Sequence, residues 1–261
     1  MLFVTFLGIR FKRMKPERAH WLLTGANLMV ALAAWGVCRL VFGDGYLAQA
    51  AFFVGIMPTA TAAPVVMGLL GGSVEFMLTA LLLINGIICA LLPFILPAVV
   101  GRGGFEIYLN VAQNISLVML LPLALALAAR RFYPRAIAWP RKLKDVTFGI
   151  WVVILVLIAA NASYDISSRE GISERVLEQI GVIALLVCGV NFGLGYLLGG
   201  RTRAAECSQA LGQKNTTLSI YLALTYASPI AALGPTFYVL WHNLWNAWQL
   251  YRASERKRRD G

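Results

Sequence analysis

The chain has 261 residues, of which 59% are hydrophobic and 13% charged, and its formal net charge is +11. A soluble globular domain carries about a quarter charged residues, so this composition argues against one and for a polytopic membrane protein. The basic residues gather in short segments between apolar spans, at Arg10–Arg18, Arg130–Lys144 and Arg252–Arg259, a pattern that orients a chain in a membrane rather than gripping nucleic acid.

The opening MLFVTFLGI is apolar but short, and RFKRMKPER follows it. A secretory signal places its charges first, so this is not one. It reads either as the cytoplasmic half of a span whose beginning is missing or as an interfacial segment on the inner leaflet. A crossing helix needs about twenty apolar residues. By that measure eight spans are expected, at about 20–42, 46–70, 74–100, 105–129, 146–162, 176–199, 204–230 and 232–251. Gly43-Asp44-Gly45, Gly71-Gly72-Ser73, Gly101-Arg102-Gly103-Gly104 and Gly199-Gly200-Arg201 supply the turns. The loop at 130–145 is basic and the loop at 163–175 is charge-balanced. The Lys and Arg distribution puts the basic loops, Arg201, Arg203 and the carboxyl tail in the cytoplasm, with Asp44, Arg102 and the segment from Asp165 to Arg175 outside. The expected location is thus integral to a membrane, a bacterial inner (plasma) membrane, with the carboxyl terminus cytoplasmic. Cys38, Cys89, Cys188 and Cys207 lie in or beside apolar spans with no CxxC spacing, and read as packing residues rather than a metal or disulfide framework.

Two spans are interrupted. The second contains Met57-Pro58-Thr59-Ala60-Thr61-Ala62-Ala63-Pro64, and the seventh contains Gly212-Gln213-Lys214-Asn215-Thr216-Thr217 followed by Pro229. Interior prolines remove a backbone donor and clash with the preceding turn, so helix breaks are expected at Pro58, Pro64 and Gly212. The second span is the middle of the trio 20–100 and the seventh the middle of the trio 176–251, and the trios start on opposite sides. Interrupted spans at matching places in two inverted halves point to the midplane binding site of a secondary transporter.

PTATAAPVVMGLLGGSVEF resembles the fourth-span crossing segment of the bile acid:sodium symporter family, and GQKNTTLSIYLAL resembles that family's ninth-span Glu-x-Gly-x-Gln-Asn segment, with Gly212 and Asn215 matching. MLFVTFLGIRFKR is similar to the end of the family's second span. The resemblance covers essentially the whole chain and implies an all-α inverted-repeat transporter fold. It implies ten spans in relatives, with the third to the tenth kept here, and two crossed discontinuous helices in a core that moves against a smaller panel. The implied organisation is a span remnant and basic loop at 1–18, a first core half at 19–101, panel-like spans at 102–163, a second core half at 164–252 and a basic tail at 253–261. The family's sodium positions fall on Ala63, Pro64, Met77, Leu81 and Ala210, and the glutamine before the ninth-span asparagine falls on Lys214. Sodium needs several oxygen ligands, so sodium coupling is not expected.

Lys214 is therefore expected to hold its ammonium near the place of a bound sodium, with the carbonyls ending its own half-helix facing it. The rival reading is a lysine that snorkels to the interface. Gln213, Asn215, Thr216, Thr59 and Thr61 accompany the breaks as candidate substrate or ion contacts. Asn27, Asn85, Asn114 and Asn191 either line a cavity or hydrogen-bond neighbouring helices. His242 stands in WHNLWNAW, where Trp241, Trp245 and Trp248 read as a packing stripe before substrate stacking. No HExxH, GxSxG or paired intramembrane carboxylates occur, so the expectation is a non-enzyme without cofactors. The function implied by the resemblance is secondary transport of a small organic anion within the lipid bilayer, proton-coupled or uncoupled. The alternative is a non-transporting relative acting as a receptor or as a subunit that needs a partner.

Overall fold

The computed structural model describes residues 2–7, 14–43, 45–101, 104–143 and 173–260, with scattered positions between 146 and 164. Most of the expected span at 146–162 and of the loop at 163–175 lies outside the described residues, as do Arg10, Asp44, Arg102, Lys144 and Asp165. In chain order the helices are α1 (Leu2–Leu7), α2 (Arg18–Phe42), α3 (Tyr46–Ile56), α4 (Ala63–Leu70), α5 (Val74–Val100), α6 (Phe105–Phe132), a 3-10 turn (Pro134–Ala138), α7 (Trp139–Lys142), α8 (Glu174–Gly212), α9 (Thr216–Tyr226) and α10 (Pro229–Asp260). No β-strand occurs among the described residues. By length and composition α2, α5, α6 and α8 can each cross a membrane, in keeping with an integral membrane protein.

The 39 residues of α8 do not form one rod. Gly200 (φ 57, ψ −142) and Arg203 (φ −130, ψ 18) leave helical geometry, and Ser208 Oγ donates to the Phe192 carbonyl, 16 residues away, at 2.8 Å. A straight helix would separate those residues by about 24 Å. The chain therefore doubles back at 200–203, and the two limbs touch so closely that a Cβ on Gly195 would lie 2.4 Å from the Cys207 carbonyl oxygen. The turn is tied to its surroundings. Arg203 meets Glu17 at 3.0 Å and Glu206 at 3.5 Å, and Glu206 Oε1 accepts from the Ser73 backbone at 3.1 Å at the start of α5. The Arg203–Glu17 pair is a third or more exposed, so it contributes about 0–1 kcal/mol. The buried Glu206 carboxylate is the firmer anchor.

Proline alone does not decide where these helices stop. α5 runs through Pro93 and Pro97, α6 through Pro122 and α10 through Pro235. One expectation needs correction. Pro64 lies in the first turn of α4, where it begins a helix rather than interrupting one, and Pro229 opens α10 in the same way. The first helical position has no use for an N–H, which is what proline lacks. The last helix also outruns its expected end, because SERKRRD continues α10 to Asp260. Its Lys, Arg and Glu are good helix formers, and the cations sit at the negative end of the helix dipole.

Two compact units divide the described chain. One comprises Met1–Met14 and Cys89–Ser168, the other Lys15–Ile88 and Arg169–Gly261. Inside the first, Arg130 donates to the Leu7 carbonyl at 3.3 Å and the Phe3 and Trp139 rings lie 6.5 Å apart. Inside the second, Val30, Val54, Met57, Ala184, Val187, Cys188, Phe192 and Tyr238 form a buried core. α2 and α3 touch backbone to backbone there: a Cβ on Gly55 would lie 2.5 Å from Ala31 Cα.

Gly55→Val is expected to lower thermal stability by about 1–3 kcal/mol, as overpacking does. Gly25→Ala on the same α2, where an added Cβ meets nothing within 4 Å, should be silent. Thermal melting of the detergent-solubilised chain, followed by size-exclusion profile, checks both.

Candidate functional site at two helix breaks

α3 ends at Ile56 and α4 resumes at Ala63, while α8 ends at Gly212 and α9 resumes at Thr216. Between them the backbone is extended at Met57 (φ −47, ψ 128) and Gln213 (φ −88, ψ 102). The two unwound segments pair with each other. Ala60 N donates to the Gln213 carbonyl at 2.8 Å and Asn215 N to the Pro58 carbonyl at 2.7 Å, which sets Thr59 opposite Lys214 in an antiparallel bridge. A broken helix leaves polar backbone groups that an apolar interior cannot satisfy. Each break here supplies partners for the other.

Side chains satisfy further carbonyls at the breaks. Thr59 Oγ1 donates to the Ala210 carbonyl at 2.7 Å, Tyr238 Oη to the Gly212 carbonyl at 2.7 Å and Ser219 Oγ to the Phe53 carbonyl at 2.7 Å. Asn27 Nδ2 donates to the Ile56 carbonyl at 3.2 Å. Lys214 is 1% exposed. Its Nζ donates to the Gly55 carbonyl at 3.3 Å and to Asn27 Oδ1. A cation at the carboxyl end of a helix is stabilised by the carbonyls that end it, and here that helix is α3.

This differs from the expectation in one respect. The carbonyl that Lys214 Nζ meets is that of Gly55 and not one from the half-helix that precedes it, where Ala210 accepts from Thr59 and Gly212 from Tyr238. Gly55 belongs to the other broken span. Lys214 does not snorkel either: its ammonium is spent between α2 and α3.

The other candidates divide. Asn215 Oδ1 accepts from Leu218 N at 3.3 Å and caps α9, a local role for which asparagine is well suited. Thr216 is buried at the first position of α9, and Thr61 is partly exposed beside the first break. Asn191 Nδ2 donates to Tyr238 Oη at 3.3 Å, and the His242 ring stands edge-on to Tyr238 at 5.5 Å. Asn85 is buried on α5, and neither of its amide atoms has a hydrogen-bond partner among the described residues. Asn114 lies on α6, in the other compact unit. Ala63, Met77, Leu81 and Ala210 are buried and offer no side-chain oxygen, and neither does Pro64. Trp241 Nε1 donates to the Gly181 carbonyl at 3.1 Å, while Trp245 and Trp248 pack on each other at 4.9 Å. Tyr238 is the functional candidate that sequence reasoning passed over. It stands one helical turn before His242, and that spacing was the available signal.

Removing either member of the Lys214–Asn27 pair leaves the other buried and short of a partner. Asn27→Leu and Lys214→Met are each expected to cost about 1–3 kcal/mol, and the double variant less than the sum by a coupling of about 0.5–3 kcal/mol. Denaturation of all four proteins in one detergent measures the cycle. No known family model matches this chain, and no curated protein matches it.

Proposed function

We propose that the chain is a secondary transporter of a small organic anion, with eight membrane spans arranged as two inverted trios and a carboxyl terminus in the cytoplasm of a bacterial cell. The observation that supports this reading best is the pairing of two helix breaks at Thr59 and Lys214 around a buried ammonium. Discontinuous helices that meet inside a membrane protein present half-helix ends to a ligand, and their amino ends favour anions. The motif likeness to the bile acid:sodium symporters, carried by the same two segments, supports the substrate class.

In this reading the ammonium of Lys214 takes the part of a bound cation, and coupling is to protons or absent. The oxygens of Asn27 and Gly55 contact Nζ as they would a small cation. That same engagement favours a second reading, in which Lys214 is a fixed strut of a non-transporting relative. The Lys214 variants separate the two.

Uptake or exchange of a labelled organic anion by proteoliposomes holding the chain alone is expected, with no change when sodium is replaced by potassium or choline. A saturable rise with sodium would defeat the assignment of Lys214.

Lys214→Gln is expected to weaken anion binding about ten- to a hundredfold, because the fixed positive charge that takes the part of a bound cation is lost, and to flatten its pH dependence. Lys214→Arg should fail to restore binding, because a planar guanidinium does not fit the contact made by a compact ammonium. Binding of the labelled anion at several pH values distinguishes this from a strut, for which arginine would be tolerated.

A further inference from the structure

The buried side-chain atoms without a hydrogen-bond partner are not scattered. Among the described residues they are both amide atoms of Asn85, together with Asn191 Oδ1, Gln209 Oε1, Gln213 Oε1 and His242 Nδ1. Of the last four, Asn191, Gln209 and His242 lie along one seam, and Gln213 follows Gly212 at its end. On α10, Tyr238, His242 and Asn246 recur at four-residue intervals, with Gln249 three residues further on, which places them along one face at steps of about 6 Å. Tyr238, His242 and Asn246 are buried. Across from them is the last part of α8. Gly212 accepts from Tyr238, and Gln209 Nε2 donates to Asn246 Oδ1 at 3.1 Å and to Gln249 Oε1. These two ties fix the register, with the helices antiparallel, and His242 falls between them. Asn191 joins from the first limb of α8 through Tyr238.

Buried polar atoms are nearly always hydrogen-bonded, and a row of unsatisfied acceptors needs a source of donors. Among the described residues, no charged side chain stands within the row itself. At one end of it is Lys214, two residues past the Gly212 carbonyl that accepts from Tyr238. At the other end are Glu206 and Arg203, with Glu17 and His20 of α2 behind them, and Arg252 over the Trp248 ring at 5.1 Å.

We propose that this seam is a hydrated proton lane joining Lys214 to the basic end of α10. The lane rests on the transporter reading for its purpose, since it names the proton as the coupling ion and gives Lys214 access to one side. Water donors satisfy Asn191, Gln209, Gln213 and His242, and each hop breaks one O–H or N–H bond as it forms the next. The net change is an ammonium that becomes an amine at Lys214 and one proton delivered to solvent at the Gln249 end. The apolar wall of Val187, Phe192 and Met57 keeps the lane narrow.

The test is the charge displacement after a pH step, recorded from the full chain in proteoliposomes adsorbed to a sensor membrane, with no organic anion present. The parent should give a transient that Lys214→Met abolishes. His242→Leu and Gln209→Leu should slow it at least tenfold, and His242→Asn, which keeps a polar contact for water, should stay within about threefold of the parent. Absence of a transient in the parent, or kinetics like the parent's in both leucine variants, overturns the lane. So does a transient set by sodium or potassium rather than by pH. Melting curves of the leucine variants report folding, and the Asn246→Leu chain provides a second interruption should either fail to fold. Because no anion is used, protons that move in a chain that binds no anion would sink the transport reading alone, and the reverse result would sink the lane alone.

Discussion

The rest of the second unit depends on a single requirement, that two broken helices must satisfy their exposed backbone groups without water. The pairing of Ala60 with Gln213 and of Asn215 with Pro58 meets that requirement in part, and Thr59, Tyr238, Ser219, Asn27 and Lys214 meet most of the remainder. Every one of these donors reaches across to a different helix or to the other unwound segment. The breaks therefore define where α2, α3, α8, α9 and α10 stand, and those helices in turn hold the breaks open. At the breaks, charge enters through Lys214. A buried ammonium carries a desolvation cost of several kcal/mol, and only its contacts with a helix end and an amide oxygen offset that cost.

Much of this was legible in the chain. The runs that lie in α2, α5 and α6 follow from apolar length, and the interruptions near Pro58 and Gly212 follow from polar residues inside such runs. The proline signal was read too generally. Pro64 and Pro229 start helices, since a missing donor is harmless at a first turn. The partner of Lys214 was the hardest part to see, because Asn27 lies 187 residues away and no local spacing connects them. The polar face of α10 was present as a four-residue interval, but Trp241, Trp245 and Trp248 give the same stretch a more conspicuous apolar stripe. Two faces of one helix carried two messages.

The hairpin in α8 adds a constraint at some distance from the breaks. Its second limb is short and carries Glu206, Gln209 and Ala210, so the same limb is tied to the start of α5, to α10 and to the first break. A displacement at any of these three contacts is felt at the other two, because a stiff helical limb does not absorb it. The Arg203–Glu17 contact is weak enough to open at little cost.

The backbone contact between Gly55 and Ala31 has a mechanical meaning. With no side chain between them, α2 and α3 cannot rotate independently, and Asn27 pins the same junction through the Ile56 carbonyl. They form one stiff beam that ends at the first break. α4 then begins a fresh helix beyond six residues of extended chain and turn, so a twist of α4 is not passed along the axis of that beam.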